Sequence, residues 1–64
     1  MFELSISTGN AAFADAPAEE LARILRTLAD RIEHAGLSAP REGALTDSNG
    51  NRVGSWLYVP AEEE

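Results

Sequence analysis

The sequence predicts an α+β domain of order β-α-β-β, a three-stranded antiparallel sheet with one helix packed on one face. Three observations carry this prediction: an alternating apolar segment at 2–8, an amphipathic segment at 16–35, and two strand-forming segments around a tight turn. One helix on one layer of sheet is the economical way to bury the apolar faces of so few elements. With 64 residues, the chain has room for one core.

The first strand follows from an alternation of period two. Phe2, Leu4 and Ile6 are separated by polar residues, which indicates a strand with one buried face. Gly9 and Asn10 end the pattern. Phe13 is the one large apolar residue of the connection that follows, and we expect it to fill the end of the core.

The helix follows from one apolar stripe with terminal signals at both ends. Asp15 or its neighbour suits the N-cap, Pro17 suits the first turn, and Gly36 suits the C-terminal stop. The stripe consists of Leu21, Ile24, Leu25, Leu28 and Ile32.

The second and third strands flank Asn49-Gly50, a pair typical of a type I′ hairpin turn. We expect Asp47 and Asn51 to flank the turn and to bind local backbone groups. The last strand is the longest and the most apolar, so we place it in the middle of the sheet, antiparallel to both others.

The faces of the last strand are assigned only conditionally. Trp56 and Tyr58 share one face and Val53, Leu57 and Val59 the other, unless Gly54 forms a bulge. One set covers the helix, and the other is partly exposed and available to a partner. The alternative is that all five serve a small core or a dimer interface.

The domain is predicted to span residues 1–60, followed by a mobile acidic tail at 61–64. The sequence contains no cysteine and one histidine, which argues against a disulfide framework or an ordinary zinc site. It also has no signal-peptide pattern and no apolar run of membrane-spanning length, so we expect a soluble cytoplasmic protein.

Charge is the compositional anomaly. The net charge is −6, and all five basic residues are arginine. The helix accounts for −1 of this excess, and the strands, loops and tail for −5. Such a surface repels nucleic acid and membranes and favours basic protein partners, although many small proteins are acidic for solubility alone.

Two chemical alternatives at the hairpin and the helix are weak. Asp47, Asn49 and Asn51 match the first ligand positions of a calcium loop, but Arg52 and Tyr58 stand where glycine and glutamate are required. Asp30 and His34, one turn apart, are more typical of a helix surface pair than of a catalytic relay. We therefore expect no enzyme activity, cofactor or metal.

The segments "TGNAAF", "PAEELARILRTLADRIE" and "LTDSNGNRVGSW" resemble a family of short acidic phage- or prophage-encoded proteins. The resemblance covers roughly residues 2–58 and implies a mobile-element source. Small acidic phage proteins of this kind include anti-CRISPR proteins, several of which mimic the charge of DNA. The resemblance thus implies a stoichiometric inhibitor that binds a Cas subunit.

Two alternatives stand beside that expectation: a non-inhibitory phage accessory protein, as a homodimer joined through an edge strand or the Trp56 face, and an antitoxin-like binder of a basic protein. In each case the candidate binding residues are acids outside the helix, whose own charges nearly cancel, and the aromatic pair of the last strand. They are Glu3, Asp15, Glu42, Asp47, Trp56 and Tyr58.

Overall fold

The computed structural model describes residues 1–63 and confirms the predicted α+β class and element order. Its elements are, in chain order, β1 (Phe2–Ile6), a 3₁₀ helix (Ala11–Phe13), α1 (Pro17–Ala35), β2 (Arg41–Thr46), β3 (Arg52–Tyr58) and a second 3₁₀ helix (Ala61–Glu63). The second 3₁₀ helix falls in the predicted acidic tail. The mobility of that tail stays a prediction, and Glu64 lies outside the described residues.

β3 is the central strand, and β1 and β2 both run antiparallel to it. This confirms the placement predicted from the length and apolar character of the last strand. In the register, Trp56 stands between Leu4 of β1 and Gly43 of β2. The alternation predicted for the first strand therefore puts Leu4 and Trp56 on the same face of the sheet.

α1 begins and ends within one residue of the prediction. Pro17 occupies the first turn, and Ala16 is the N-cap without a side-chain hydrogen bond, so Asp15 does not cap the helix. At the other end Gly36 has a φ of 76°, and its N–H donates to the Ile32 carbonyl at 2.8 Å. This left-handed conformation explains why a glycine ends the helix.

The core lies between α1 and one face of the sheet. Half-buried neighbours such as Ile6, Leu21 and Ile32 pack around its centre. The buried apolar residues are Phe13, Ile24, Leu28, Leu45, Val53 and Trp56. Phe13 fills the core as predicted. Within residues 1–63, no helix has the length and apolar character needed to cross a membrane.

A bulge in β3 settles which side chains of that strand face α1. Leu45 pairs with Gly54 and Thr46 with Arg52, so Val53 has no partner across the ladder. An extra residue of this kind turns its side chain to the same face as its neighbour. Val53 and Trp56 consequently both reach the core, as the conditional assignment allowed.

The hairpin differs from the predicted type I′ turn. That turn requires positive φ at Asn49 and Gly50, and of these only Gly50 has it, at 83°. The Gly50 N–H donates to the Asp47 carbonyl at 3.0 Å, and the Asp47 N–H to the Asn51 carbonyl at 2.9 Å. This is a three-residue loop closed by a left-handed glycine, so the type I′ assignment is wrong.

Candidate functional site

The face of the sheet that turns away from α1 is uncovered. It forms a shallow trough of about 560 Å³ to which no residue of α1 contributes. Sheet faces in small α+β domains are usually solvated or occupied by a partner, so this trough is the first candidate for a binding surface.

Two candidate residues predicted from the sequence meet in this trough. Glu3 of β1 and Glu42 of β2 both lie opposite Leu57 in the register. Neighbouring strands are about 4.8 Å apart, so the two glutamates stand roughly 10 Å apart across the sheet. Both are exposed, and neither forms an ion pair with another described residue. We call Glu3, Leu57 and Glu42 the acidic row.

A second row of small side chains runs beside the acidic row. Ser55 lies between Ser5 and Ala44 in the register, and all three line the trough. Their small size leaves room above the sheet for a side chain from another molecule. Arg52 also lines the trough and is the one basic residue there.

Asp47 does not join this surface. It is only 4% exposed, and its carboxylate accepts hydrogen bonds from the backbone N–H groups of Asn49 and Asn51, both at 2.9 Å. Its Oδ2 accepts a further bond from the Asn10 side chain at 3.0 Å. The prediction that Asp47 binds local backbone groups is confirmed, but a side chain engaged in this way does not offer its charge to a partner.

These bonds also hold the Asp47 carboxyl in its ionised form. The Asn10 side-chain hydrogen bond, followed by the N–H groups of Asn51 and Asn49, lowers the pKa of Asp47, although burial acts in the opposite direction. The bond from Asn10 also joins the connection after β1 to the β2–β3 loop, across 37 residues of sequence. Asp47 is thus a positioning residue for that loop.

Glu20 plays a similar role that the sequence did not reveal. It is 7% exposed and accepts hydrogen bonds from Arg23 Nε at 2.9 Å and from the Ser48 N–H at 2.7 Å. The hydrogen bond from Arg23 is the main cause of the lowered pKa of Glu20. Because Ser48 lies in the β2–β3 loop, this carboxylate ties that loop to the first turns of α1.

The aromatic candidates lie on the opposite side of the sheet from the trough's acids. Trp56 is 8% exposed and belongs to the core, with Tyr58 half-buried beside it. The ring centroid of Phe2 lies 6.1 Å from that of Trp56. Asp15 is exposed between the first 3₁₀ helix and α1, apart from Glu3 and Glu42. The sequence thus named six candidate residues, and the fold brings two of them together on an exposed surface.

The remaining chemical candidates show surface geometry. His34 Nδ1 lies 3.3 Å from the backbone carbonyl of Asp30, one turn earlier in α1. Across residues 1–63, no group of three or more histidine, cysteine or acidic side chains is placed to hold a metal ion. Comparisons of the chain with protein families, curated proteins and solved structures found no match.

Proposed function

We propose that the chain is a binding module for a basic protein surface, and that the acidic row is its recognition site. The observation that carries the proposal is the register itself, which places two exposed, unpaired carboxylates on either side of one half-buried leucine. Lysine and arginine have apolar stems and charged ends. A partner's basic side chain can lay its stem on Leu57 and reach Glu3 or Glu42 with its charge.

The distribution of acids favours recognition of one or a few cations over imitation of a DNA backbone. Glu3 and Glu42 are the two acids in the trough, whereas Asp15 precedes α1 and Asp47 is buried. The exposed Glu62 follows β3 in the second 3₁₀ helix. Its charge adds to the attraction of a basic partner without forming a regular row.

The resemblance to phage-encoded proteins leads us to propose a Cas subunit as the partner, bound stoichiometrically in the host cytoplasm without catalysis. A tagged chain expressed in a host with an active CRISPR system tests this proposal. We expect it to co-purify with a Cas subunit and to restore plaque formation by a targeted phage. If it does neither, the inhibitor proposal fails.

The recognition site is tested by a pair of variants that change charge equally. Glu3→Gln with Glu42→Gln removes two charges from the trough, and Glu19→Gln with Glu33→Gln removes two from exposed positions on α1. We expect the first double variant to weaken partner binding about tenfold and the second less than about twofold. Raising the salt concentration should weaken wild-type binding and affect the first variant less.

Two outcomes contradict the proposed site. One is equal binding by the two double variants, which would leave only net charge as the cause. The other is full binding by Glu3→Gln with Glu42→Gln while circular dichroism shows a native fold. Trp56→Ala is unsuitable as a binding probe because it removes a core side chain that is 8% exposed.

A homodimer is a second candidate, favoured by the apolar side chains along the edge strand β1. Phe2 is 48% exposed, Leu4 38%, and Leu25 of α1 41%. Antiparallel pairing of two β1 strands centred on Leu4 would place Phe2 opposite Ile6 of the second copy, apolar against apolar. Sedimentation should then give a dimer that Leu4→Gln converts to a folded monomer, and a wild-type monomer at high concentration would reject it.

A further inference from the structure

A second cavity lies on the α1 side of the sheet, between the C-terminal half of α1 and the edge strand β2. Its volume is about 290 Å³, just below the usual range for small-molecule sites. Its lining comes from all three neighbouring elements: Arg31, Ile32 and Ala35 of α1, Arg41 to Ala44 of β2, and Trp56 of β3.

Two arginines give this cavity a positive rim. Arg31 and Arg41 approach it from α1 and β2, and neither has an ion-pair partner among the described residues. Glu42 also lines the cavity, and it is the one carboxylate that does so. A guanidinium is a planar fork of donors that matches a carboxylate in two parallel hydrogen bonds.

The floor of the cavity supplies a third donor. The Trp56 side chain lies over Gly43, where a Cβ atom would come within 2.6 Å of the indole Nε1. No hydrogen bond among the described residues uses this N–H. Among the described residues, every buried side-chain nitrogen or oxygen has a hydrogen-bond partner. Since Nε1 has none, it is not buried and must be in contact with solvent. Trp56, which is only 8% exposed, thus lines the cavity with an indole N–H that has no acceptor among the described residues.

We propose that this cavity binds a small amphipathic carboxylate. The ligand's carboxylate would accept hydrogen bonds from Arg31, Arg41 and the indole N–H. Its apolar part would lie against Ile32 and the Trp56 ring. The two arginines supply the attraction, and the small apolar floor selects a ligand that carries a short hydrocarbon group beside its charge. This site shares Glu42 with the acidic row but does not depend on the proposed function.

Titration with hexanoate, followed by the indole N–H resonance of the ¹⁵N-labelled chain, tests the proposal. Trp56 is the one tryptophan, so the signal needs no assignment. We expect a saturable shift with a dissociation constant of about 1 mM, as suits a ligand of this size. Hexan-1-ol, which lacks the carboxylate, should bind at least about tenfold more weakly. Absence of a saturable shift, or equal affinity for hexan-1-ol, overturns the proposal.

Matched variants locate the site. Arg31→Gln and Arg41→Gln should each weaken hexanoate binding about three- to tenfold, whereas Arg26→Gln, at an exposed position outside the cavity, should change it less than about twofold. Glu42→Gln should tighten hexanoate binding, the reverse of its effect on a basic partner. Equal effects of all three arginine variants would overturn the site, and binding of acetate or inorganic phosphate as tight as hexanoate would overturn the ligand class.

Discussion

Replacement of Gly54 by alanine tests whether the close approach of β1 to β3 requires a glycine at this position. A Cβ atom at this position would overlap the backbone carbonyl oxygen of Ser5 and would lie 3.0 Å from Ile6 Cα. Both neighbours are main-chain atoms of β1, which pairs with β3 here. No side-chain rotation relieves the overlap, so β1 and β3 must separate.

The cost follows from that separation. Overpacking a tightly filled site costs about 1–3 kcal/mol, and a rigid backbone neighbour favours the upper part of that range. The Ser7 N–H donates to the Val53 carbonyl at 2.7 Å beside the site, and each stretched ladder hydrogen bond adds about 1 kcal/mol. We expect Gly54→Ala to lower the free energy of unfolding by about 3–4 kcal/mol. A chain of this length has about 3–10 kcal/mol in total.

Urea unfolding followed by Trp56 fluorescence measures this loss, with two glycine controls. A Cβ atom at Gly9 would meet nothing within 4 Å, so Gly9→Ala should change the free energy of unfolding by no more than about 0.5–1 kcal/mol. Gly50→Ala also meets open space but has a φ of 83°, so about 1–2 kcal/mol is expected from backbone strain alone. If Gly54→Ala were no more destabilising than Gly50→Ala, the steric reasoning would be refuted.

Three further substitutions test other parts of the molecule. Gly43→Ala should push the indole of Trp56 from its place and shift its fluorescence emission, with a loss of about 1–3 kcal/mol; unchanged emission would contradict the contact. Asp47→Asn should flatten the acid limb of the stability profile. Because the folded pKa of Asp47 is lowered, its stabilisation is present above the ordinary value of 3.8 and is lost as the pH falls through the folded value. The reasoning would be refuted if the stability of the wild type and of Asp47→Asn fell in parallel between pH 5 and pH 2, a window of about three pH units around the ordinary pKa. Leu28→Ala should cost about 2–5 kcal/mol in urea unfolding, since Leu28 is a buried core residue of α1, and a loss below about 1 kcal/mol would contradict its place in the core.

The elements with strong local signals were predictable from the sequence. The apolar stripe of α1, Pro17 in its first turn and Gly36 at its end are properties of short segments, and the structure places the helix where they predicted. The central position of β3 also followed from composition. A middle strand is covered by a neighbour on each side, so few of its positions suit charged side chains.

The roles of the two buried acids depend on contacts distant in sequence. Glu20 precedes Ser48 by 28 residues, and Asp47 follows Asn10 by 37. Carboxylates are mostly exposed, so composition alone favours a surface position for both. Only the tertiary fold brings the Ser48 N–H to Glu20, and it adds the Asn10 side-chain amide to the local N–H donors of Asp47. The turn type failed for a related reason, because the Asp47 side chain binds the Asn49 and Asn51 N–H groups and stabilises a longer loop.

The acidic residues occupy two different settings in the structure. Asp47 and Glu20 use their charge inside the molecule, where they join the β2–β3 loop to its surroundings. Glu3 and Glu42 have no such partners and stand on a face that α1 leaves open. Since the first pair holds the hairpin that carries Glu42 and Leu57, its loss would disturb binding indirectly. Recognition can consequently be separated from folding by variants of the acidic row that keep native stability.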